Sequence, residues 1–278
     1  MIAAVEQVTV RFGDRIALDQ VSLGVGAGEL VAVVGGDGAG KTTLLRVLAG
    51  ELGVDAGATR PVPRIRLGFL SAGPGSWAAL TVRQNLDFVG GCYRLHGAAL
   101  ARRRDAIIDR CGLAAAVDRP AAALSGGMRR KLGVAMALLH RPALVILDEP
   151  STGVDPVSRL DLWRLVSEAA ADGAAVVVST TYLDEAQRAT RLLVLDDGHE
   201  LVSGTYPEIH AAFPGVITAA DRPERPEWSW RRGRARHEYW PAPSGSTMPG
   251  TPVDPDLEDI VVALSLRRRG TVREGDPR

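Results

Sequence analysis

Nine consecutive residues, Gly35-Gly36-Asp37-Gly38-Ala39-Gly40-Lys41-Thr42-Thr43, carry the most specific chemistry in the chain. From Gly35 through Thr42 they fit G-x-x-x-x-G-K-S/T, the spacing of a phosphate-binding loop. Glycines at 35, 36, 38 and 40 let successive backbone N–H groups close around anionic oxygens. Lys41 adds a mobile positive charge for the β- and γ-phosphates, and the Thr42 hydroxyl offers an oxygen to Mg²⁺. A second constellation is the pair Asp148-Glu149, which follows directly on the apolar run Leu144-Val145-Ile146-Leu147. In a nucleotide fold the first carboxylate of such a pair holds Mg²⁺ and the second polarises the attacking water. A third is Leu124-Ser125-Gly126-Gly127-Met128, where two glycines behind a capping serine make another helix start able to face an anion.

These groups need particular elements to hold them. Leu30-Val31-Ala32-Val33-Val34 is apolar and β-branched throughout, as in a strand buried on both faces of a parallel sheet. After the loop, Leu44, Leu45, Val47 and Leu48 recur at helical spacing, and Gly50 stands where a helix ends. Strand, glycine-rich turn and helix is the context that a phosphate loop requires. Residues 144–148 predict a second buried strand, with the carboxylates at its C-terminal end, and Ala175-Val176-Val177-Val178-Ser179-Thr180 a third. Before Leu30, alternating runs at Val5-Val8-Val10, Ile16-Ala17-Leu18 and Val21–Val25 are broken by Gly13-Asp14 and Gly26-Ala27-Gly28, which predicts an antiparallel β layer. Residues 81–140 switch to helical periodicity, with an Arg102-Arg103-Arg104 run expected on a solvated face. Phe12 beside the first turn suits stacking on a nucleobase as well as it suits the end of a core strand.

The phosphate loop, the Leu-Ser-Gly-Gly-Met segment and the Leu-Asp-Glu-Pro strand end, in this order, resemble the ATPase subunit of an ATP-binding cassette (ABC) transporter over residues 2–210. The resemblance implies ATP and Mg²⁺ as ligands, held by Gly35, Gly36, Asp37, Gly38, Ala39, Gly40, Lys41, Thr42 and Thr43, with Phe12 against adenine, Thr42 and Asp148 toward the metal, and Glu149 as catalytic residue. It also implies a nucleotide-sandwich dimer, in which Leu124, Ser125, Gly126, Gly127 and Met128 of one subunit close over ATP held by the other. Ser151 and Asp155 would then lie in the loop through which the two subunits touch. Ser151–Arg159 and Ser179–Ala186 are similar to a bacterial exporter branch whose membrane domain is a separate permease chain, which would hold this subunit at the cytoplasmic face of the membrane. Two positions depart from the family pattern: Ala72 stands where glutamine is usual and Thr181 where histidine is usual. Gly36 and Asp37 likewise replace proline and asparagine, and the added carboxylate disfavours a triphosphate unless a cation offsets it. A hydrolysis-impaired regulatory or non-transport cassette protein is the alternative reading, and both homodimer and heterodimer remain open.

The rest of the 278-residue chain bounds these readings. With 33 basic and 33 acidic residues there is no global electrostatic case for nucleic acid. Cys92 and Cys111 form no metal-ligand pair and are read as packed residues of a reducing cytosol. The expected fold is an α/β phosphate-loop NTPase core with an antiparallel β layer, a helical insert at 81–140 and a small C-terminal domain at 211–266, followed by a disordered tail at 267–278. In that domain Trp228 to Trp240 is read as a β-hairpin, with Pro-, Gly- and Ser-rich stretches at 222–226 and 241–252. Leu257, Ile260, Val261 and Leu264 are read as the apolar face of a closing helix.

Overall fold

Runs without a polar interruption become the central strands. In the computed structural model, which describes residues 1–73, 75–241 and 248–275, strands β3 (Leu30–Val34), β6 (Leu144–Asp148) and β7 (Ala175–Thr180) are buried at every residue. They sit inside a six-stranded sheet of order β5-β6-β7-β3-β8-β9, completed by β5 (Leu67–Leu70), β8 (Arg191–Asp196) and β9 (His199–Gly204). Successive side chains of a strand point to opposite faces. Val31, Val33, Ile146 and Val177 therefore meet α1 (Lys41–Leu48) and an antiparallel sheet of order β2-β1-β4, formed by β1 (Ala3–Phe12), β2 (Arg15–Val25) and β4 (Ala56–Arg60). Val145, Leu147, Val176 and Val178 meet the other layer, made of α2 (Val82–Cys92), α3 (Gly97–Arg110), α4 (Gly126–Leu138) and α5 (Pro156–Ala171). The two alternating runs expected between residues 16 and 25 are a single strand, β2. Its register with β1 shifts near Gln7 and Gln20, both in the left-handed region at φ +47° and +52°.

Register decides what the sheet presents at its edge. Val33 lies opposite Ser179, Val34 opposite Thr180, and Asp148 opposite Ser179, so the C-terminal ends of β3, β6 and β7 finish level. The segments that leave those ends are the phosphate loop, Glu149-Pro150 and Thr181.

Two expectations about the helical insert change. Arg104 is not on a solvated face: its guanidinium donates to Asp87 at 2.8 Å and to Asp105 at 3.0 Å, and its side chain is mostly covered. Cys92 is exposed, whereas Cys111 is buried, and burial pushes its thiol up to about 12.

His140, just past α4, stacks on Tyr93 with ring centroids 3.5 Å apart. Its Nε2 is 3.0 Å from the Leu67 carbonyl, which also accepts the Tyr93 hydroxyl at 2.9 Å, while Nδ1 is buried without a partner. The ring is thus neutral with the proton on Nε2, and a second proton would create a buried, unpaired N–H. Burial pushes the imidazole down to about 4, against the Leu67 hydrogen bond, which favours the charged form. Since the unfolded chain takes up that proton first, from about 6.5, this stabilisation is whole above 6.5 and is lost as pH falls toward 4. Thermal melting should accordingly show a drop in Tm across that window, and His140→Gln should flatten it; an unaltered slope in the variant would count against this account.

The chain divides into two compact units, Met1–Glu200 and Leu201–Arg278, with the division inside β9 rather than at residue 210. After α6 (Leu183–Ala186) of the first unit, the second unit holds α7 (Tyr206–Ala211), a four-stranded sheet of order β11-β12-β10-β13, and α8 (Leu257–Gly275). Its strands are β10 (Gly215–Ala220), β11 (Ser229–Arg232), β12 (Ala235–Pro241) and β13 (Thr251–Val253). Between Trp228 and Trp240 the chain forms the antiparallel pair β11–β12. Of the arginines there, Arg232 pairs with Asp256 and Glu258, and just before them Arg225 lies 3.7 Å over the Trp240 ring and pairs with buried Glu238. Among the described residues of α8, Leu257, Ile260 and Ala263 are the buried apolar positions, with Asp259 buried beside them, while Val261 and Leu264 are only half-buried. The buried face is therefore rotated from the expected one, because Ala263 is small enough to close against Ile217 and Tyr239. Helix α8 also continues through 267–275, most of the stretch expected to be disordered. Residues 276–278, and 242–247 of the Pro-rich stretch, lie outside the described residues.

Candidate active site

The phosphate loop leaves β3 at Gly35 and enters α1 at Lys41. Two of its glycines are required by space. A Cβ on Gly35 would stand 2.5 Å from the Leu195 carbonyl oxygen, and one on Gly40, where φ is +103°, would stand 2.6 Å from that of Ala17. Lys41 is only 5% exposed, so its ammonium must find partners inside the protein. It donates to the Gly35 carbonyl at 2.9 Å and the Gly36 carbonyl at 3.0 Å, and pairs with Glu149 Oε1 at 3.2 Å.

The level strand ends bring the second group within reach. Asp148 accepts the Thr42 hydroxyl at 2.8 Å on one oxygen and the Ser179 hydroxyl at 2.5 Å on the other. Ser179 Oγ in turn accepts the Glu149 N–H at 2.9 Å. Glu149 itself is held at φ +48°, a conformation that costs a non-glycine residue about 1–2 kcal/mol. Its carboxylate meets Lys41 of the loop with one oxygen and accepts the Thr152 hydroxyl at 3.1 Å with the other. Thr42 and Asp148 thus place a hydroxyl and a carboxylate side by side. That sparse set of hard oxygens suits Mg²⁺, which keeps waters and substrate phosphates for the rest of its shell.

A cleft of about 360 Å³ opens over these groups, lined by Phe12, Arg15, Ala17, residues 37–43 and Glu149. Phe12 is 51% exposed at its mouth, which decides against a core role. Arg15, which the sequence reading missed, donates to the Gly38 carbonyl at 3.5 Å and brings a cation to the cleft that Asp37 also lines. A second cavity, of about 400 Å³ between α3, α4 and α5, borders Pro142 and Ala174 before the N-terminal ends of β6 and β7, and so lies away from Asp148.

The Leu124–Met128 segment does not line this cleft. Ser125 caps α4 by accepting the Met128 N–H at 3.3 Å; Ser125 and Gly126 are exposed, Leu124 is buried and Met128 half-buried. Gly127 is buried, and a Cβ there would meet Ser158 Oγ at 2.8 Å. This glycine therefore lets the start of α4 pack on the start of α5. Asp155 caps α5, and the hydrogen bonds from Ser158 and the Val157 N–H hold its carboxyl below the ordinary range. Ser151, expected to touch a second subunit, is buried: its hydroxyl donates to Glu185 Oε2 at 2.6 Å, which also accepts Thr180 Oγ1 at 3.0 Å. Arg159 completes this cluster, 3.2 Å from Glu185 and 4.3 Å over the Tyr182 ring. Of the two, only Asp155 is exposed for such a contact. Ala72 and Thr181 are both exposed, just beyond β5 and β7.

The family model described as ABC transporter matches residues 18–152. The daunorubicin resistance ATP-binding protein DrrA3 of Streptomyces coeruleorubidus is 37% identical over 216 residues, covering 74% of this chain and 68% of the relative. The chain belongs to the ABC transporter ATP-binding family. The cassette is also 33% identical over 219 residues to the Nod factor export ATP-binding protein I of Ralstonia nicotianae, covering 75% of this chain and 68% of that protein. Among solved structures, one described as the ATP binding subunit of an ABC transporter superposes with a TM-score of 0.71 at 27% identity, over 77% of the cassette and 93% of that chain.

Proposed function

We propose that the cassette is the ATP-binding subunit of an exporter, using ATP binding, dimer closure and hydrolysis to drive efflux through a separate permease. The observation that carries this reading is the meeting of Thr42 with Asp148 at 2.8 Å and of Lys41 with Glu149 at 3.2 Å where the phosphate loop faces the end of β6. The names of the relatives, drug resistance and Nod factor export, support the exporter direction. Loop N–H groups and Lys41 hold the triphosphate, Phe12 stacks on the base, and Glu149 orients and deprotonates the attacking water. Thr42 and Asp148 would hold Mg²⁺, which would supply charge neutralisation at the phosphates. Exposed Ser125 and Gly126 fit the closure over a second cassette's ATP. No described helix is long and apolar enough to cross a membrane. We place the permease contact at Trp77 and Phe88, 46% and 49% exposed and packed edge-to-face at 4.4 Å.

Turnover by the isolated cassette is expected to be slow, because Ala72 has no polar side chain and Thr181 only a short hydroxyl. Loss of one charge-stabilising contact in such a site lowers rate by ~10²–10³-fold. Ala72→Gln combined with Thr181→His should raise the steady-state ATPase rate. A wild-type rate already within ~1–10³ s⁻¹, or a double variant that is no faster, would refute this account of the two positions. The same substitutions favour a second reading, a regulatory cassette that binds ATP without useful turnover. Affinity purification distinguishes them: a co-purifying membrane protein supports the exporter, while ribosomes or DNA alone support the regulator.

A further inference from the structure

Helix α4 reaches two places at once. Its first turn carries Ser125–Met128, and just beyond, Arg130 leaves the same helix for the loop after β5. The Arg130 guanidinium donates to the Gly73 carbonyl through Nη1 and to the Ala72 carbonyl through Nη2, each at 2.7 Å. Arg129 beside it donates at 3.1 Å to the Ala121 and Ala122 carbonyls, tying α4 to its own approach, whereas Arg130 ties it to a strand end 57 residues back. Ser71, Ala72 and Gly73 are exposed, so the loop has little packing of its own to hold it. The planar guanidinium fork fits two adjacent carbonyls in a way that an ammonium cannot. Those carbonyls carry no net charge, and the carboxylates that attract the cation are Glu149 and Asp148; burial opposes the charge and pulls its pKa down. The same end of α4 is also fixed against α5, through Gly127 packed on Ser158.

We propose that Arg130 is a positioning residue that latches loop 71–73 to the signature helix beside Glu149, so that the seating of Ser125 and Gly126 on a partner's nucleotide is transmitted to this chain's own hydrolytic carboxylate. The proposal rests on the ATPase reading given above. Arg130 touches no nucleotide in this scheme, and its loss should alter the rate and not the affinity.

The test compares wild type, Arg130→Ala and Arg130→Lys in the full chain. In nucleotide-free protein, amide hydrogen exchange at 71–73 should rise about tenfold in the alanine variant and less in the lysine variant, with the amides of α1 unchanged. In steady-state assays with MgATP, kcat should fall by ~10²-fold in the alanine variant, the scale of a misplaced catalytic geometry, while KM stays within about twofold; lysine should recover part of kcat. Unchanged exchange at 71–73, or a raised KM with kcat preserved, overturns the latch. Should Arg130→Ala unfold, the lysine variant decides: wild-type exchange and kcat in it overturn the fork argument. A wild-type chain that binds no MgATP in calorimetry refutes the ATPase reading and the latch with it, whereas one that binds and turns over, with Arg130→Ala equally fast, refutes the latch alone.

Discussion

Replacing Lys41 by alanine should weaken MgATP binding by about 10²–10³-fold, because the change removes the one cation at the centre of the loop and leaves its partners behind. The ammonium is nearly enclosed and bonded to two loop carbonyls and Glu149. A charge-assisted hydrogen bond is worth about 1.5–3 kcal/mol, and removing one partner of a buried pair costs about 3–5 kcal/mol. In the variant, Glu149 and the carbonyls of Gly35 and Gly36 would face the incoming triphosphate with only negative or partly negative oxygens. Arg15 at the mouth and the loop N–H groups would still attract phosphate, which is why the loss is large and not total. Titration calorimetry with MgATP reads the change directly. Equal affinity in the two proteins would remove Lys41 from the site.

The sequence made the cleft legible where its chemistry is contiguous. Gly35 to Thr43 carries its pattern in a single turn between β3 and α1, and Asp148-Glu149 stands at the end of an apolar run that reads as a buried strand. What escaped it depends on partners far along the chain. Ser179 becomes the bridge between Asp148 and the Glu149 N–H only through the register of β6 with β7. Ser151 reads as a surface loop residue until Glu185, 34 positions later, is folded behind it. Arg15 and Arg130 looked like ordinary charges, since nothing local marks an arginine whose targets are backbone carbonyls. The α8 face was misjudged by one step around the helix for a related reason: periodicity gives a stripe, but the neighbour's shape decides whether Ala263 or Leu264 closes it.

The final expectation concerns how the two faces of the cassette divide the work. Ser125 and Gly126 are exposed and intact at the start of α4, whereas the surroundings of Lys41 lack the polar side chains that glutamine and histidine would bring at 72 and 181. Such a chain is better equipped to close over a partner's nucleotide than to process its own. In a pairing with a cassette that holds both residues, one complete site would combine the partner's phosphate loop with this chain's Ser125, Gly126 and Gly127. Ser125→Arg should then abolish most ATPase activity of the purified complex, because its long side chain replaces a short hydroxyl and fills the space that the γ-phosphate must enter. It also removes the α4 cap, worth about 0.5–2 kcal/mol, so a Tm measurement must accompany the assay. Glu149→Gln keeps the shape and an acceptor for Thr152, and removes the base and the charge facing Lys41. In the asymmetric pair that change should cost much less than Ser125→Arg, since it touches only the weaker site. General-base loss is worth ~10²–10⁴-fold wherever the affected site does the work. Equal and near-complete loss from both substitutions would therefore mean a symmetric homodimer, in which this chain's own Glu149 carries the turnover despite Ala72 and Thr181.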